Sequence, residues 1–306
     1  MTAPIVQVQD LRKSYGDVVA LRGVSFEIAE GEVFGLLGPN GAGKTTTIEI
    51  LEGMRTSDGG TARVCGLDPQ ASGDDFKRQV GAVLQSTSLP DKLRVEEAIR
   101  LFAAMYGVRS PSDTLLKRFG LEEKRDAFYN RLSGGQKQRL ALALALVQQP
   151  RVIFLDEPTA GLDPQVRREI YDIFEELRRE KKTILLTTHY IEEAERLCDR
   201  VAIIDQGRLI ALGSPRELKE RSAGTTRIEI TLARAEDDGA LRRLEGVTDC
   251  RQVEERTVLH STRPPVTIVA LVKHLEANNN ELKSLEIAPP SLEDIFIELT
   301  GRRLRD

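Results

Sequence analysis

The sequence predicts an α/β protein built on a mostly parallel sheet, followed by a smaller α+β domain. Three observations carry that expectation. Short, continuous apolar runs, Val33 to Leu37, Val152 to Leu155 and Thr183 to Thr188, read as strands buried on both faces, as parallel sheets require. A helical period follows each run, so strands and helices alternate. Past about residue 225 the order changes to strand, helix, strand, strand, helix, strand, helix, which is the βαββαβα order of a ferredoxin-like domain. With 306 residues, the chain is long enough for two such cores.

Bulk composition removes several classes. A net charge of -4 and a pI near 5.7 exclude a surface that coats nucleic acid, which needs clustered positive charge. Arg302, Arg303 and Arg305 read as a solvated helix end. Cys65, Cys198 and Cys250 are odd in number and lack metal-ligand spacing, so free thiols in a reducing cytosol are expected. The longest apolar run, Leu140 to Val147, falls far short of the roughly 20 residues that span a bilayer. Met1 to Leu11 lacks the apolar core of a signal peptide, and a soluble, cytoplasmic chain is expected.

In chain order, Ile5 to Val8 and Val18 to Ile28 alternate as β-segments around the turn Ser14-Tyr15-Gly16-Asp17. The Tyr15 ring can stack on a base, although plain surface packing is the commoner role of such a residue. Next comes Gly38-Pro39-Asn40-Gly41-Ala42-Gly43-Lys44-Thr45-Thr46, placed between an apolar strand and a helix. A strand that turns through glycines into a helix N-terminus gathers backbone N–H groups and the positive dipole end at one point, which favours phosphate. The glycines allow positive φ and close backbone approach, Lys44 can bridge the β- and γ-phosphates, and the Thr45 hydroxyl can ligate Mg²⁺. Nucleotide binding follows.

A turn at Ser57 to Gly60, a strand at Thr61 to Cys65 and a helix at about Asp74 to Arg78 lead to the apolar stretch Val80 to Leu84, which ends at Gln85. An amide at the carboxyl edge of a parallel strand points into the crevice where such sheets bind ligands. Arg94 to Tyr106 and Asp113 to Phe119 are helical by period. Leu132-Ser133-Gly134-Gly135-Gln136 then opens the helix Lys137 to Val147, with Ser133 as N-cap and Gln136 reaching back. Two glycines in a first turn cost about 1 kcal/mol each relative to alanine, so capping alone does not favour them. They fit a backbone that must touch a second phosphate-bearing ligand.

The run Arg151 to Leu155 delivers Asp156 and Glu157 to a sheet edge. Asp156 can hold Mg²⁺ through water, and Glu157 can polarise an attacking water as general base; the plain alternative is an N-cap region for the helix near Pro164. Gly161-Leu162-Asp163-Pro164 turns into an amphipathic helix, and His189 ends the strand Thr183 to Thr188, where it can hydrogen-bond a γ-phosphate. A helix at Tyr190 to Leu197, a hairpin at Val201 to Leu212 turning at Gln206-Gly207, a short helix from Ser214-Pro215 and a linker at Ser222 to Thr225 close this domain. The segment beyond has no glycine-rich loop and no cluster of His, Cys or paired acids.

The order of these motifs resembles the nucleotide-binding subunits of ABC transporters, over about residues 4 to 220. By that resemblance Tyr15 corresponds to the adenine-stacking aromatic, Gly38 to Thr46 to the Walker A loop and Gln85 to the Q-loop glutamine. Leu132 to Gln136 corresponds to the ABC signature, Asp156 and Glu157 to the Walker B acids, and Asp163 and His189 to the D-loop and switch residues. The resemblance implies a P-loop NTPase fold over residues 4–222, with an antiparallel β subdomain and a helical subdomain at about 86–149, and an accessory α+β domain over 225–306. It also implies ATP as substrate, Mg²⁺ held by Thr45, Gln85 and Asp156, and an ATP-dependent head-to-tail homodimer. In such a dimer Ser133, Gly134, Gly135 and Gln136 contact ATP held by the other subunit. The segment Pro289-Pro290-Ser291-Leu292-Glu293-Asp294-Ile295-Phe296 is similar to the ATPase subunits of daunorubicin-resistance-type exporters. The implied role is an ATPase on the inner face of the plasma membrane, powering a separately encoded integral-membrane permease with no nucleic-acid partner. An importer subunit and a soluble, non-transport ABC ATPase are the alternatives.

Overall fold

The structure, a computed structural model, describes residues 3–71, 73–85, 88–221, 226–253, 256–288 and 291–300. The expected linker Ser222 to Thr225, the Pro289-Pro290 pair and the tail arginines lie outside the described residues. The chain divides into two compact units, one reaching Pro215 and one beginning at Arg216.

The larger unit opens with the antiparallel pair β1 (Val6–Tyr15) and β2 (Val18–Ile28). Strand β1 runs well past Val8, where the apolar alternation stops. The reason is a bulge: Val6 and Val8 are buried and so is Leu11, one residue out of phase. The register shifts between Val8 and Leu11, and Asp10 takes φ 49 there. The extra residue resets which side chains face inward and erases the period-two signal. Tyr15 therefore ends a strand, and the turn is only Gly16-Asp17.

β3 (Val33–Leu37) leads through the glycine-rich loop into α1 (Lys44–Leu51), and β4 (Gly59–Val64) pairs with β1 to complete a sheet of order β2-β1-β4. After α2 (Gly73–Gln79) and β5 (Val80–Val83) comes a helical stretch with α3 (Val95–Met105), α4 (Ser112–Arg118) and α5 (Gly134–Ala145). β6 (Val152–Asp156), α6 (Pro164–Arg179), β7 (Thr183–Thr188), α7 (Ile191–Leu197) and the hairpin β8 (Arg200–Asp205) and β9 (Arg208–Gly213) follow. The second sheet has the order β5-β6-β7-β3-β8-β9, parallel except for β9.

Every residue of β3, β6 and β7 is buried, which explains the apolar runs Val33 to Leu37, Val152 to Leu155 and Ile184 to Leu186. Each such Leu, Ile, Val or Phe contributes about 1.5–3 kcal/mol relative to exposure. The pairing also fixes geography. Leu37 lies beside Thr188 and Asp156 beside Thr187, so the glycine-rich loop, the acid pair and His189 all leave the sheet at one carboxyl edge.

α8 (Pro215–Arg221) spans the division between the units. The smaller unit contains β10 (Thr226–Leu232), α9 (Asp238–Arg242), β11 (Val247–Val253), β12 (Arg256–Ser261), α10 (Pro264–Ala277), β13 (Leu282–Ala288) and α11 (Leu292–Thr300). Its antiparallel sheet has the order β11-β12-β10-β13, the ferredoxin-like arrangement, over a core of Ile228, Ile230, Leu241, Leu259, Leu271 and Leu275. His260 Nε2 lies 3.2 Å from Asp294 Oδ1 and ties α11 to β12. Burial alone raises the Asp294 carboxyl, but His260 and Ser291 outweigh it and hold that group well below the usual carboxylate range.

Candidate active site

The loop between β3 and α1 admits no side chain where it bends most. Gly43 has φ 104, and a Cβ there would sit 2.7 Å from the Ala20 carbonyl and 2.8 Å from the Leu21 side chain. The β8–β9 turn holds the loop from behind: Gly207 N–H donates to Ala42 O at 3.0 Å, and Arg22 N–H donates to Gly207 O at 2.8 Å. Because α1 starts at Lys44, its first-turn N–H groups lack helical acceptors and are available to an anion. Lys44 is only 4% exposed and donates from Nζ to the carbonyls of Gly38 at 2.7 Å and Pro39 at 3.1 Å. Burial pulls its pKa down, against the attraction of Glu157 and Asp156.

In front of the loop is a cavity of about 500 Å³, lined by Tyr15, Asn40, Gly41, Gly43, Lys44, Thr45, Thr46, Gln85 and Glu157 together with Val18, Val19 and Ala20. Sequence reasoning thus named most of the wall. Gln85 lies two residues beyond the end of β5, exposed on a bend. The Tyr15 ring has the Arg55 guanidinium 5.1 Å and Lys13 Nζ 5.6 Å from its centroid.

β6 supplies both acids. Asp156 is buried, and its Oδ1 accepts from Thr187 Oγ1 at 2.5 Å and from Thr45 Oγ1 at 3.4 Å. Burial pushes its pKa up, while the two hydroxyls pull it back. Glu157 has φ 47, a left-handed conformation that costs a non-glycine residue about 1–3 kcal/mol and persists only where its surroundings impose it. Its N–H donates to Thr187 Oγ1 at 2.9 Å. Its Oε1 lies 3.4 Å from Lys44 Nζ and 3.2 Å from His189 Nδ1, so one carboxylate oxygen meets the phosphate-loop cation and the β7 histidine together. Thr187, which touches both acids, escaped the sequence. Only the pairing of β6 with β7, Asp156 against Thr187, brings it there.

The helix opening at Ser133 is the capping box the spacing suggested. Gln136 N–H donates to Ser133 Oγ at 3.3 Å, and Ser133 N–H donates to Gln136 Oε1 at 3.0 Å. The glycines beside it differ in surroundings, and one of them has a packing reason that the spacing did not show. A Cβ on Gly135 would lie 2.5 Å from Val166 Cγ1, so that glycine is needed for close packing of α5 on α6. Gly134 has nothing within 4 Å of such a Cβ and keeps the ligand-contact reading. Gly135→Ala is expected to cost about 1–3 kcal/mol from overpacking, with Val166→Ala in the same chain restoring most of it. Thermal unfolding checks this; a single variant as stable as the parent sinks the packing explanation.

Asp163 caps α6, accepting from the N–H groups of Gln165 at 3.1 Å and Val166 at 3.0 Å. Neither Asp163 nor Ser133 to Gln136 lines the cavity, so the expected site residues fall into two groups. At the loop end of the cavity Lys44 faces Asp156 and Glu157, one cation against two acids, while Lys13 and Arg55 flank the Tyr15 ring. A divalent cation beside the two acids would offset their repulsion of a polyphosphate. Thr45, Asp156 and Gln85 offer the hard oxygens that Mg²⁺ takes, and no group of three or more His, Cys, Asp or Glu among the described residues forms an all-protein cage. That donor set fits an ion that completes its shell with phosphate oxygens and water.

Residues 21–160 match the family described as ABC transporter, and residues 213–300 match the one described as ATP-binding protein DrrA1-3-like, C-terminal domain. The Nod factor export ATP-binding protein I of Ralstonia nicotianae is 39% identical over 315 residues, covering 100% of this chain and 96% of its own. The linearmycin resistance ATP-binding protein LnrL of Bacillus subtilis is 35% identical over 311 residues, covering 99% and 100%. Among solved structures, the ATP-binding subunit of an ABC transporter superposes with a TM-score of 0.65 at 31% identity, over 71% of this chain and 93% of that one. A dimeric ATP-binding cassette in a post-hydrolysis state, bound to ADP and Pi, gives a TM-score of 0.62 at 27% identity over 68% and 98%. Phosphate loop, acid pair, switch histidine and matches over the full length agree: the chain belongs to the ATP-binding subunits of ABC transporters, ATPases coupled to transport, and carries a DrrA-like C-terminal domain.

Proposed function

We propose that this chain hydrolyses ATP as one half of a head-to-tail homodimer and so drives export of a drug, lipid or other small hydrophobic molecule through a separately encoded integral-membrane permease. The observation that carries the hydrolytic part is the Glu157 carboxylate, held between Lys44 and His189 at the wall of the cavity. Glu157 takes the proton of the attacking water, Lys44 neutralises the β- and γ-phosphates, and His189 hydrogen-bonds the γ-phosphate. Tyr15 packs on the adenine. Thr45, Asp156 and Gln85 would hold Mg²⁺, which would supply positive charge against the phosphates.

The separation of Ser133 to Gln136 and Asp163 from this cavity supports completion of each site by a second copy, with Gly134 giving its backbone to the partner's ATP. Export is supported by the DrrA-like segment and by the names of the relatives.

No helix among the described residues is long and apolar enough to cross a membrane, so attachment at its inner face requires a docking surface. Helix α3 and the turn after it offer one: Leu101 and Met105 on the helix and Val108 beyond it are 47%, 72% and 37% exposed. Leu101 and Met105 stand one turn apart, an apolar stripe suited to a helix or loop of a membrane subunit. Replacing both with glutamate is expected to cut recovery of the full chain with its permease at least tenfold in a membrane pull-down, while ATP hydrolysis by the isolated protein stays within twofold. Equal recovery of variant and parent removes α3 as the docking face. If no membrane protein is recovered with the parent, the soluble-factor reading gains instead.

A further inference from the structure

Beneath the catalytic edge lies a carboxylate with no role in the reaction as assigned above. Glu193, on α7, is 1% exposed, and one of its oxygens accepts a hydrogen bond from Thr159 Oγ1 at 2.9 Å. Thr159 is itself fully buried. The other oxygen, Oε2, is buried without a hydrogen bond of good geometry. Burial pushes the carboxyl up to about 7, in spite of the nearby Thr188 and Thr159 hydroxyls and the Arg167 guanidinium. Burying a carboxylate costs stability even beside such hydroxyls, and a leucine of similar volume would fill this place without that cost. The carboxylate therefore needs a reason beyond packing.

Its location supplies one. Thr159 is the pivot of the turn that begins at Glu157: Ala160 N–H donates to Glu157 O at 3.1 Å, and Leu162 N–H donates to Thr159 O at 3.3 Å. That turn holds Glu157 at its left-handed φ and ends at Asp163. Glu193 is in the first turn of α7, four residues beyond His189 in the chain. Arg167 adds a second tie between the same parts, its guanidinium 4.3 Å from the Tyr190 ring centroid and its Nη2 3.5 Å from Leu162 O. We infer that Glu193 is a positioning residue for hydrolysis: by accepting from Thr159 it clamps the 157–163 turn to the helix that follows His189, and so sets Glu157 and His189 relative to each other. This rests on the reading of Glu157 as general base.

The test uses the purified full chain, with kcat, KM for ATP, equilibrium ATP binding and Tm measured for each variant. Glu193→Leu and Thr159→Val are expected to lower kcat at least tenfold, with KM and ATP binding within twofold of the parent and with no loss of Tm for Glu193→Leu. The double variant should be no slower than the worse single one, because both remove the same hydrogen bond. Glu193→Gln, which keeps an acceptor, and Thr159→Ser, which keeps the hydroxyl, should stay within threefold of the parent. The inference is overturned if Glu193→Leu turns over within twofold of the parent, if Glu193→Gln is as slow as Glu193→Leu, or if ATP binding and Tm fall in step with kcat. Glu157→Gln run in parallel separates the two ideas: normal turnover there removes the base assignment itself, whereas a dead Glu157→Gln beside a normal Glu193→Leu removes only the clamp.

Discussion

Glu157→Gln is expected to bind ATP normally, to hydrolyse it roughly 10²- to 10⁴-fold more slowly than the parent, and to accumulate as an ATP-dependent dimer. The amide keeps the size of the side chain but has no charge with which to take a proton from water. It can still reach His189 and Lys44, now 3.2 Å and 3.4 Å from one carboxylate oxygen, so the geometry of the edge should survive. Removing a negative charge beside Lys44 also relieves repulsion of the incoming phosphates. Binding should hold or tighten while chemistry stops. Phosphate release and gel filtration with and without ATP measure both halves of this expectation, and parental turnover in the variant defeats the assignment.

Lys44→Ala should fail one step earlier. That side chain is buried, donates to two loop carbonyls and is set against both Asp156 and Glu157. Without it the phosphates meet two carboxylates with no ammonium from the loop between them, and charge-assisted hydrogen bonds of about 1.5–3 kcal/mol each are lost. A fall in ATP affinity of at least about 100-fold is expected, read by equilibrium titration with a fluorescent ATP analogue. Affinity within a fewfold of the parent would show that the phosphates bind elsewhere. Lys44→Arg is not expected to rescue, because the planar guanidinium does not fit a site sized for a compact ammonium.

The parts of this site that the sequence disclosed are those in which neighbours along the chain are neighbours in space. Gly38 to Thr46 is one uninterrupted loop, Ser133 to Gln136 one helix turn, and Asp156-Glu157 the end of one strand, so residue type and spacing carry their chemistry directly. Thr187, Val166 and Glu193 gave no such signal. Thr187 becomes a partner of Asp156 and Glu157 only through strand pairing. The packing demand on Gly135 was hidden because the residue that requires its bare Cα, Val166, lies on another helix. Strand β1 was cut short for a local reason instead: the bulge at Asp10 shifts the alternation by one, and a period-two template cannot follow it.

The sheet order has a consequence for how this protein is made. β3, which carries the phosphate loop, lies between β7 and β8 and so pairs with nothing synthesised before Thr183. The support behind the loop comes later still, from Gly207. At about 5–20 residues per second, a ribosome takes roughly 8–30 s to travel from Val33 to Thr183. For that time a strand as apolar as Val-Phe-Gly-Leu-Leu waits without either neighbour, and the nascent chain cannot yet grip ATP to help itself fold. An aggregation-prone interval in the synthesis of this ATPase therefore precedes the assembly of its phosphate loop, and a chaperone could cover β3 until the far strands emerge.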